Sequence, residues 1–119
     1  MSLYLLFYNL ALGWKACDQY SNAMTDLTTT LKLIIDERNV LISARDVESR
    51  ERLEVLNNAL NNAYNHRGFC FRKVGKFDEA ISDYTNAIRA LPDNARALNN
   101  RAYCYAKKDM YAEAVADYT

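Results

Sequence analysis

The chain has 119 residues, half of them hydrophobic and a quarter charged, and its 15 basic and 15 acidic residues leave no net charge. The total charge therefore favours neither a nucleic acid nor a membrane surface as partner. With only three Gly and one Pro, the chain lacks the turn formers of a many-stranded protein, so we predict one all-α domain with short connections.

The first element is predicted in the apolar start of the chain, MSLYLLFYNLALGW. This stretch has neither a basic leader nor a small-residue cleavage site, and its apolar run is too short to span a membrane. We predict a buried amphipathic helix there, followed by a second helix that carries Tyr20, Ala23 and Leu27. Neither a targeting signal nor a membrane partner is predicted.

The next element is predicted within residues 38–60, RNVLISARDVESRERLEVLNNAL. Leu53, Leu56 and Leu60 keep a helical spacing that continues into the following helix. We expect a turn near residues 39–43, with Ser43 as N-cap, and then a long N-terminal extension of that helix. Alternatively, the preceding helix extends past residue 36. Both arrangements predict ordered helix rather than a flexible linker.

The second half of the chain contains a repeat. The stretch GKFDEAISDYT returns 34 residues later as DMYAEAVADYT, with five of 11 positions identical. A period of 34 residues is typical of a helix–turn–helix repeat, and the stretch that begins at Tyr4 is a weaker copy. The predicted organisation is a single domain, 1–119, with repeats at about 4–37, 61–94 and 95–119 and an inserted helical extension at 38–60.

The middle copy, counted from Asn61, places small residues where two helices would cross. Gly68, Ala80 and Ala87 allow close approach, and aromatic side chains fill the grooves between them. This pattern resembles the tetratricopeptide repeat (TPR) family, except that Arg67 replaces the usual Leu. The resemblance implies a right-handed α-α superhelix, a solenoid of antiparallel helix pairs that binds proteins and has no enzymatic activity.

The last copy ends at Thr119, within its second helix, whereas the middle copy continues with Ala87, Ile88 and Leu91. Because solenoids normally cover their final core with a polar capping helix, we predict that the chain is a fragment of a longer protein. Its uncovered apolar end, which includes Tyr118, is predicted to self-associate.

The chain offers little for catalysis or metal binding. It has one histidine and no P-loop, serine elbow or dinucleotide-binding glycine pattern, so we predict neither enzymatic activity nor a cofactor. His66, Cys70 and Cys104 are one ligand short of a usual structural zinc site, and we expect the two thiols to pack between helices. Three cysteines without a CxxC pair predict reduced thiols and a cytoplasmic, intracellular location.

The resemblance places ligands on the concave face of the solenoid, which is lined by the first helix of each repeat. The positions concerned carry five cations and no carboxylate, and the sixth repeat position holds Asn9, His66 and Asn100. We therefore predict a basic, Asn-lined groove for an extended, acidic peptide whose backbone the amides hydrogen-bond. The predicted contact residues are Tyr8, Asn9, Leu12, Lys15, Asn62, Asn65, His66, Phe69, Arg72, Lys73, Arg96, Asn99, Asn100, Tyr103 and Lys107.

Two alternative functions follow from the same positions. Residues 99–111, NNRAYCYAKKDMY, resemble repeats of the Hsp70/Hsp90 co-chaperones, which clamp the acidic C-terminal tail of a partner. Asn100 matches one clamp residue, but Asn65 and Phe69 occupy the places of its Lys and Asn. Binding of single-stranded RNA by interleaved cations and aromatics is the second alternative, which the neutral total charge disfavours.

Overall fold

The structure is a computed structural model that describes residues 3–118, and over that range it contains helices and no strand. Met1, Ser2 and Thr119, the last residue of the predicted third repeat, lie outside the described residues. The helices are α1 (Leu3–Ala16), α2 (Tyr20–Leu41), α3 (Val47–Lys73), α4 (Phe77–Ala90), α5 (Ala95–Lys107) and α6 (Tyr111–Tyr118). The predicted all-α fold is confirmed.

Each helix packs against the next one along the chain, from α1 to α6. The molecule is accordingly elongated, with principal extents of 46 × 32 × 16 Å. This is the architecture of a solenoid, in which a unit contacts mainly its sequence neighbours. None of the helices within residues 3–118 is both long and apolar enough to cross a membrane.

The turn inside each helix pair has the same backbone conformation. Asp18, Gly75 and Asp109 have φ values of 59°, 82° and 61°, in the left-handed region that favours glycine and tolerates aspartate. Where aspartate occupies the turn, it accepts a hydrogen bond of 2.9 Å from the hydroxyl of Tyr20 or Tyr111, two residues further on. One turn geometry therefore recurs in all three pairs, with either aspartate or glycine in the left-handed position.

The core consists of two buried clusters that meet at α3. The first lies between α1, α2 and α3 and includes Leu27, Ile34 and Leu56. The second lies between α3, α4 and α5 and contains Tyr84 at its centre. The half-buried ring of Tyr64 packs against both clusters, so the core is continuous along the solenoid.

The inserted residues 38–60 form the end of α2, a short connection and the first half of α3. The prediction of Ser43 as N-cap is wrong: the cap is Asp46, whose carboxylate accepts a hydrogen bond of 3.0 Å from the backbone amide three residues further on. The cap lies later because α2 continues to Leu41 and uses residues that were expected to form the turn. The two sequence alternatives thus occur together, since α2 extends past Asp36 and α3 is also long.

Arg67 on α3 joins three helices. Its Nε and Nη2 donate to the two carboxylate oxygens of Asp83 on α4, at 2.8 and 2.7 Å. Its Nη1 donates to the hydroxyl of Thr28 on α2 at 3.2 Å. Arg67, which stands where the family usually has Leu, therefore forms an ion pair with Asp83. The carboxylate of this pair is almost completely buried.

Arg101 on α5 repeats this arrangement one unit later. It donates to both oxygens of Asp117 on α6 at 2.7 Å, and its Nη1 donates to Thr85 on α4 at 3.2 Å. The side chain of Asp117 is also mostly buried. Each of these arginines links the two helices of its own pair to the second helix of the preceding pair.

Candidate binding groove

The first helices of the first two pairs, α1 and α3, bring cationic side chains together around the ring of Phe69. The Nζ atoms of Lys15 and Lys73 lie 4.3 and 5.4 Å from the ring centroid, and the guanidinium carbon of Arg72 lies 4.9 Å from it. Cations within about 6 Å of an aromatic face are attracted by its quadrupole. Phe69 therefore supports a cluster of positive charge that α1 and α3 build jointly.

The ring of Tyr103 on α5 extends this cluster. The guanidinium carbon of Arg72 lies 4.7 Å from its centroid, and Nζ of Lys107 lies 5.4 Å away. Arg72 thus contacts two aromatic rings that come from neighbouring repeats. We call the surface formed by Lys15, Phe69, Arg72, Lys73, Arg96, Tyr103 and Lys107 the basic patch.

Lys15 also connects α1 to α3 through the single histidine. Its Nζ lies 2.9 Å from Nδ1 of His66, which accepts the hydrogen bond. Burial, together with the positive charges of Lys15 and Arg96, lowers the pKa of His66 to about 4. His66 is therefore neutral at neutral pH, and the ring of Tyr8 packs edge-on against it with a centroid separation of 5.7 Å.

Arg96 acts on the same region through its charge. Burial raises the pKa of Tyr8, and the positive charge of Arg96 partly opposes that shift. The same charge, after burial, contributes to the lowered pKa of Lys15. Among residues 3–118, no ion pair with a carboxylate involves any of the five cations of the basic patch. Their positive charge is therefore not neutralised by direct pairing.

The predicted amides do not all lie on the surface. Asn65 is only 2% exposed, and its Nδ2 donates to Oδ1 of Asn61 at 3.0 Å. Oδ1 of Asn61 also accepts from Asn94, the N-cap of α5, so these amides connect α3 to the start of α5. Asn65 is thus a buried residue beneath the groove. The predicted amides with accessible side chains are Asn9, Asn62, Asn99 and Asn100.

The cysteines are consistent with packing residues. Cys70 and Cys104 are free thiols that are fully buried, and burial raises the pKa of each to about 11. They are therefore protonated and unreactive at neutral pH. Within the described part of the chain, no three His, Cys, Asp or Glu side chains are grouped so that they could hold a metal ion.

The sequence reasoning missed a cavity of about 190 Å³ that lies beside the groove, between α1, α2 and α3. One of its walls comes from Val55 and Ala59, which belong to the inserted segment. A signal was available, because these two residues and Asn62 follow one another at intervals of four and three along one face of α3. That face of α3 therefore extends upstream of the middle repeat, which begins at Asn61.

The consecutive packing of the helix pairs defines a helical-repeat solenoid, and the comparisons with known proteins agree with this fold. Residues 71–119 match the model of the tetratricopeptide repeat family, which confirms the resemblance to that family in this part of the chain. Proteins with such repeats are in general non-enzymatic scaffolds for protein–protein interaction.

Among solved structures, a crystal structure of MamA is similar in fold, with a TM-score of 0.50 and 20% sequence identity. The match covers 98% of this chain and 75% of that one. MamA from Desulfovibrio magneticus RS-1 has a TM-score of 0.48 and 15% identity, over 94% of this chain and 70% of that one. No curated protein sequence matches the chain.

Proposed function

We propose that the chain binds an extended, acidic segment of a partner protein in the concave groove and does not itself catalyse a reaction. The observation that carries this proposal is the basic patch, where four cations lie against the rings of Phe69 and Tyr103 and, among residues 3–118, none of them forms an ion pair with a carboxylate. Carboxylates of a ligand would supply the missing counter-charges and would accept charge-assisted hydrogen bonds from the same groups.

The arrangement of Arg72 supports a role in orienting the ligand. Because its guanidinium lies against both Phe69 and Tyr103, the side chain has fewer conformations to lose when it binds a carboxylate. The accessible amides Asn62, Asn99 and Asn100 add donors and acceptors for a peptide backbone. The groove would therefore select acidic side chains while it holds the backbone in an extended form.

Replacing Arg72 by Glu is expected to weaken the binding of a Glu-rich peptide by at least about tenfold, because it removes a cation and adds a like charge. The matched control is Lys32→Glu, which changes the charge equally at an exposed site on α2, and it should leave affinity nearly unchanged. Fluorescence anisotropy with Glu-rich and Lys-rich peptides of equal length measures the effect.

Affinity for the Glu-rich peptide should also decrease as salt is raised, since the contacts are exposed charges. Equal affinity for the acidic and the basic peptide would contradict the proposal. Tighter binding of single-stranded RNA than of the acidic peptide would support the RNA alternative instead. A strong advantage of a free over an amidated C-terminus would support the co-chaperone alternative.

We also propose that copies of the chain associate end to end, with α6 of one copy against α1 of the next. On α6, Tyr118 is 59% exposed, although Tyr84, its equivalent 34 residues earlier, is completely buried. Val115 and Tyr111 are exposed on the same helix. These side chains correspond to the face of α4 that α5 covers within the chain.

The complementary surface lies on α1. Leu3 is 57% exposed, whereas Leu60, its equivalent in the middle repeat, is 3% exposed. Leu6, Leu10 and Trp14 continue this apolar stripe along α1. The exposed face of α1 is equivalent to the face of α3 that packs against α2. An α6 helix from another copy could therefore pack against α1 in the way that α2 packs against α3. Such a head-to-tail contact builds open chains rather than closed dimers.

The sedimentation coefficient should therefore rise with protein concentration in the unmodified chain. Leu6→Glu and Val115→Glu are each expected to abolish this rise, because each places a charge in one half of the apolar contact. Val40→Glu is the control, since Val40 is an exposed apolar residue that lies on neither end face. A monomer at all concentrations, or equal association of the three variants, would contradict end-to-end packing.

A further inference from the structure

The cavity between α1, α2 and α3 has a volume of about 190 Å³ and mainly apolar walls. Ile34 forms part of its buried interior, and Leu5 and Val55 lie at its partly exposed mouth. An apolar cavity of roughly 150 Å³ is known to accept a benzene molecule, whereas pockets for whole small-molecule ligands are usually larger than about 300 Å³. The cavity therefore fits one apolar side chain.

The inserted segment creates this cavity. Val55 and Ala59 lie on α3 upstream of Asn61, where the middle repeat begins. Without the extension of α3, the side of α1 that carries Leu5 would have no neighbouring wall. The 34-residue unit by itself therefore does not supply this cavity.

The cavity is continuous with the groove through Tyr8. Tyr8 lines the cavity, and its ring packs edge-on against His66, which in turn accepts a hydrogen bond from Lys15 of the basic patch. Asn62, at the rim, is exposed and able to hydrogen-bond a peptide backbone. A single extended chain that crosses Tyr8 would therefore meet an apolar pocket on one side and cations on the other.

We propose that the cavity is the specificity pocket of the groove and holds one aliphatic or aromatic side chain of the acidic peptide. This inference rests on the proposed function and narrows it, because it names the ligand class as an acidic segment with an apolar anchor. The apolar side chain in the pocket sets the register of the peptide. The carboxylates of neighbouring peptide residues then bind to the basic patch.

The first test uses a series of peptides built from Glu, Gly and Ser, in which a single Leu is moved along the sequence one position at a time. Each peptide is compared with a reference peptide that has Ser in place of that Leu. In one register, Leu is expected to raise affinity by about tenfold, the factor that burial of one apolar side chain supports. Ala59→Phe should remove this advantage by filling the pocket, while the preference for acidic over basic peptides remains. Ala112→Phe, at an exposed site on α6, is the matched control.

The second test does not depend on a peptide. Benzene added to the chain should shift the NMR signals of the Leu5, Val55 and Ala59 methyl groups, and Ala59→Phe should abolish these shifts without lowering the melting temperature. Absence of the shifts in the unmodified chain, or acidic peptides that bind equally with Leu and Ser, would overturn the pocket while leaving the groove intact. Failure of every acidic peptide to bind would instead overturn the proposed function.

Discussion

Replacement of Arg67 by Ala is expected to lower the free energy of unfolding by about 3 kcal/mol or more, because it leaves a buried carboxylate without its counter-charge. The side chain of Asp83 is only 3% exposed, and both its oxygens accept hydrogen bonds from Arg67. The loss also disconnects α3 from Thr28 on α2. Urea denaturation of the variant and the unmodified chain measures the difference.

A second ion pair in the same molecule is the control. Arg52 and Glu37 also form a bidentate pair, but their side chains are 34% and 39% exposed. Water and mobile ions screen such a pair, so Arg52→Ala is expected to cost about 1 kcal/mol or less. Equal losses in the Arg67→Ala and Arg52→Ala variants would contradict the assignment of a special role to the buried pair.

The decrease in the free energy of unfolding caused by Arg67→Ala is also expected to depend on pH. Burial raises the pKa of Asp83, and Arg67 opposes that shift through its hydrogen bonds and its charge. Without Arg67 the folded-state pKa rises further, and only the ionised carboxylate is disfavoured by folding. The destabilisation should therefore be smallest below the ordinary Asp pKa of about 3.9 and should grow as the pH rises through the raised value.

Substitution of Ala for Gly68 is expected to destabilise the protein by about 1–3 kcal/mol, because a Cβ atom there would overpack a helix crossing. An added Cβ would lie 2.9 Å from Cε1 of Tyr84, and the nearest atoms are all in that ring. Tyr84 is completely buried between helices, so its ring has little room to move. Thermal unfolding followed by circular dichroism measures the change.

Substitution of Ala for Gly13 is expected to have the opposite effect on stability. It lies inside α1 and is exposed, and apart from its two chain neighbours and the backbone of its own helix no atom lies within 4 Å of an added Cβ. Gly13→Ala should therefore stabilise the helix by roughly 0.5–1 kcal/mol, the usual advantage of Ala over Gly in a helix interior. Equal stabilisation by Gly68→Ala and Gly13→Ala would contradict the close approach of Gly68 on α3 to the ring of Tyr84.

The fold was predictable from the sequence because its determinants are local and repeated. The 34-residue interval, the small residue at Gly68 and the turn residues Gly75 and Asp109 act within one helix pair, where spacing along the chain decides which side chains meet. The cations Arg72 and Lys107 were placed on the concave face by the same periodicity and by the family resemblance. Whether the groove binds an acidic peptide stays a prediction.

The tertiary structure decided which side chains are buried and which groups find partners. Asn65 occupies a groove position in the repeat but is covered, and Arg67 finds Asp83 and Thr28 at separations of 16 and 39 residues. The cavity beside Val55 depends in the same way on three helices that meet. The physical reason is that periodicity determines the direction of a side chain on its own helix. Its burial, its ion pairs and the space around it depend on neighbouring helices, which local sequence does not specify.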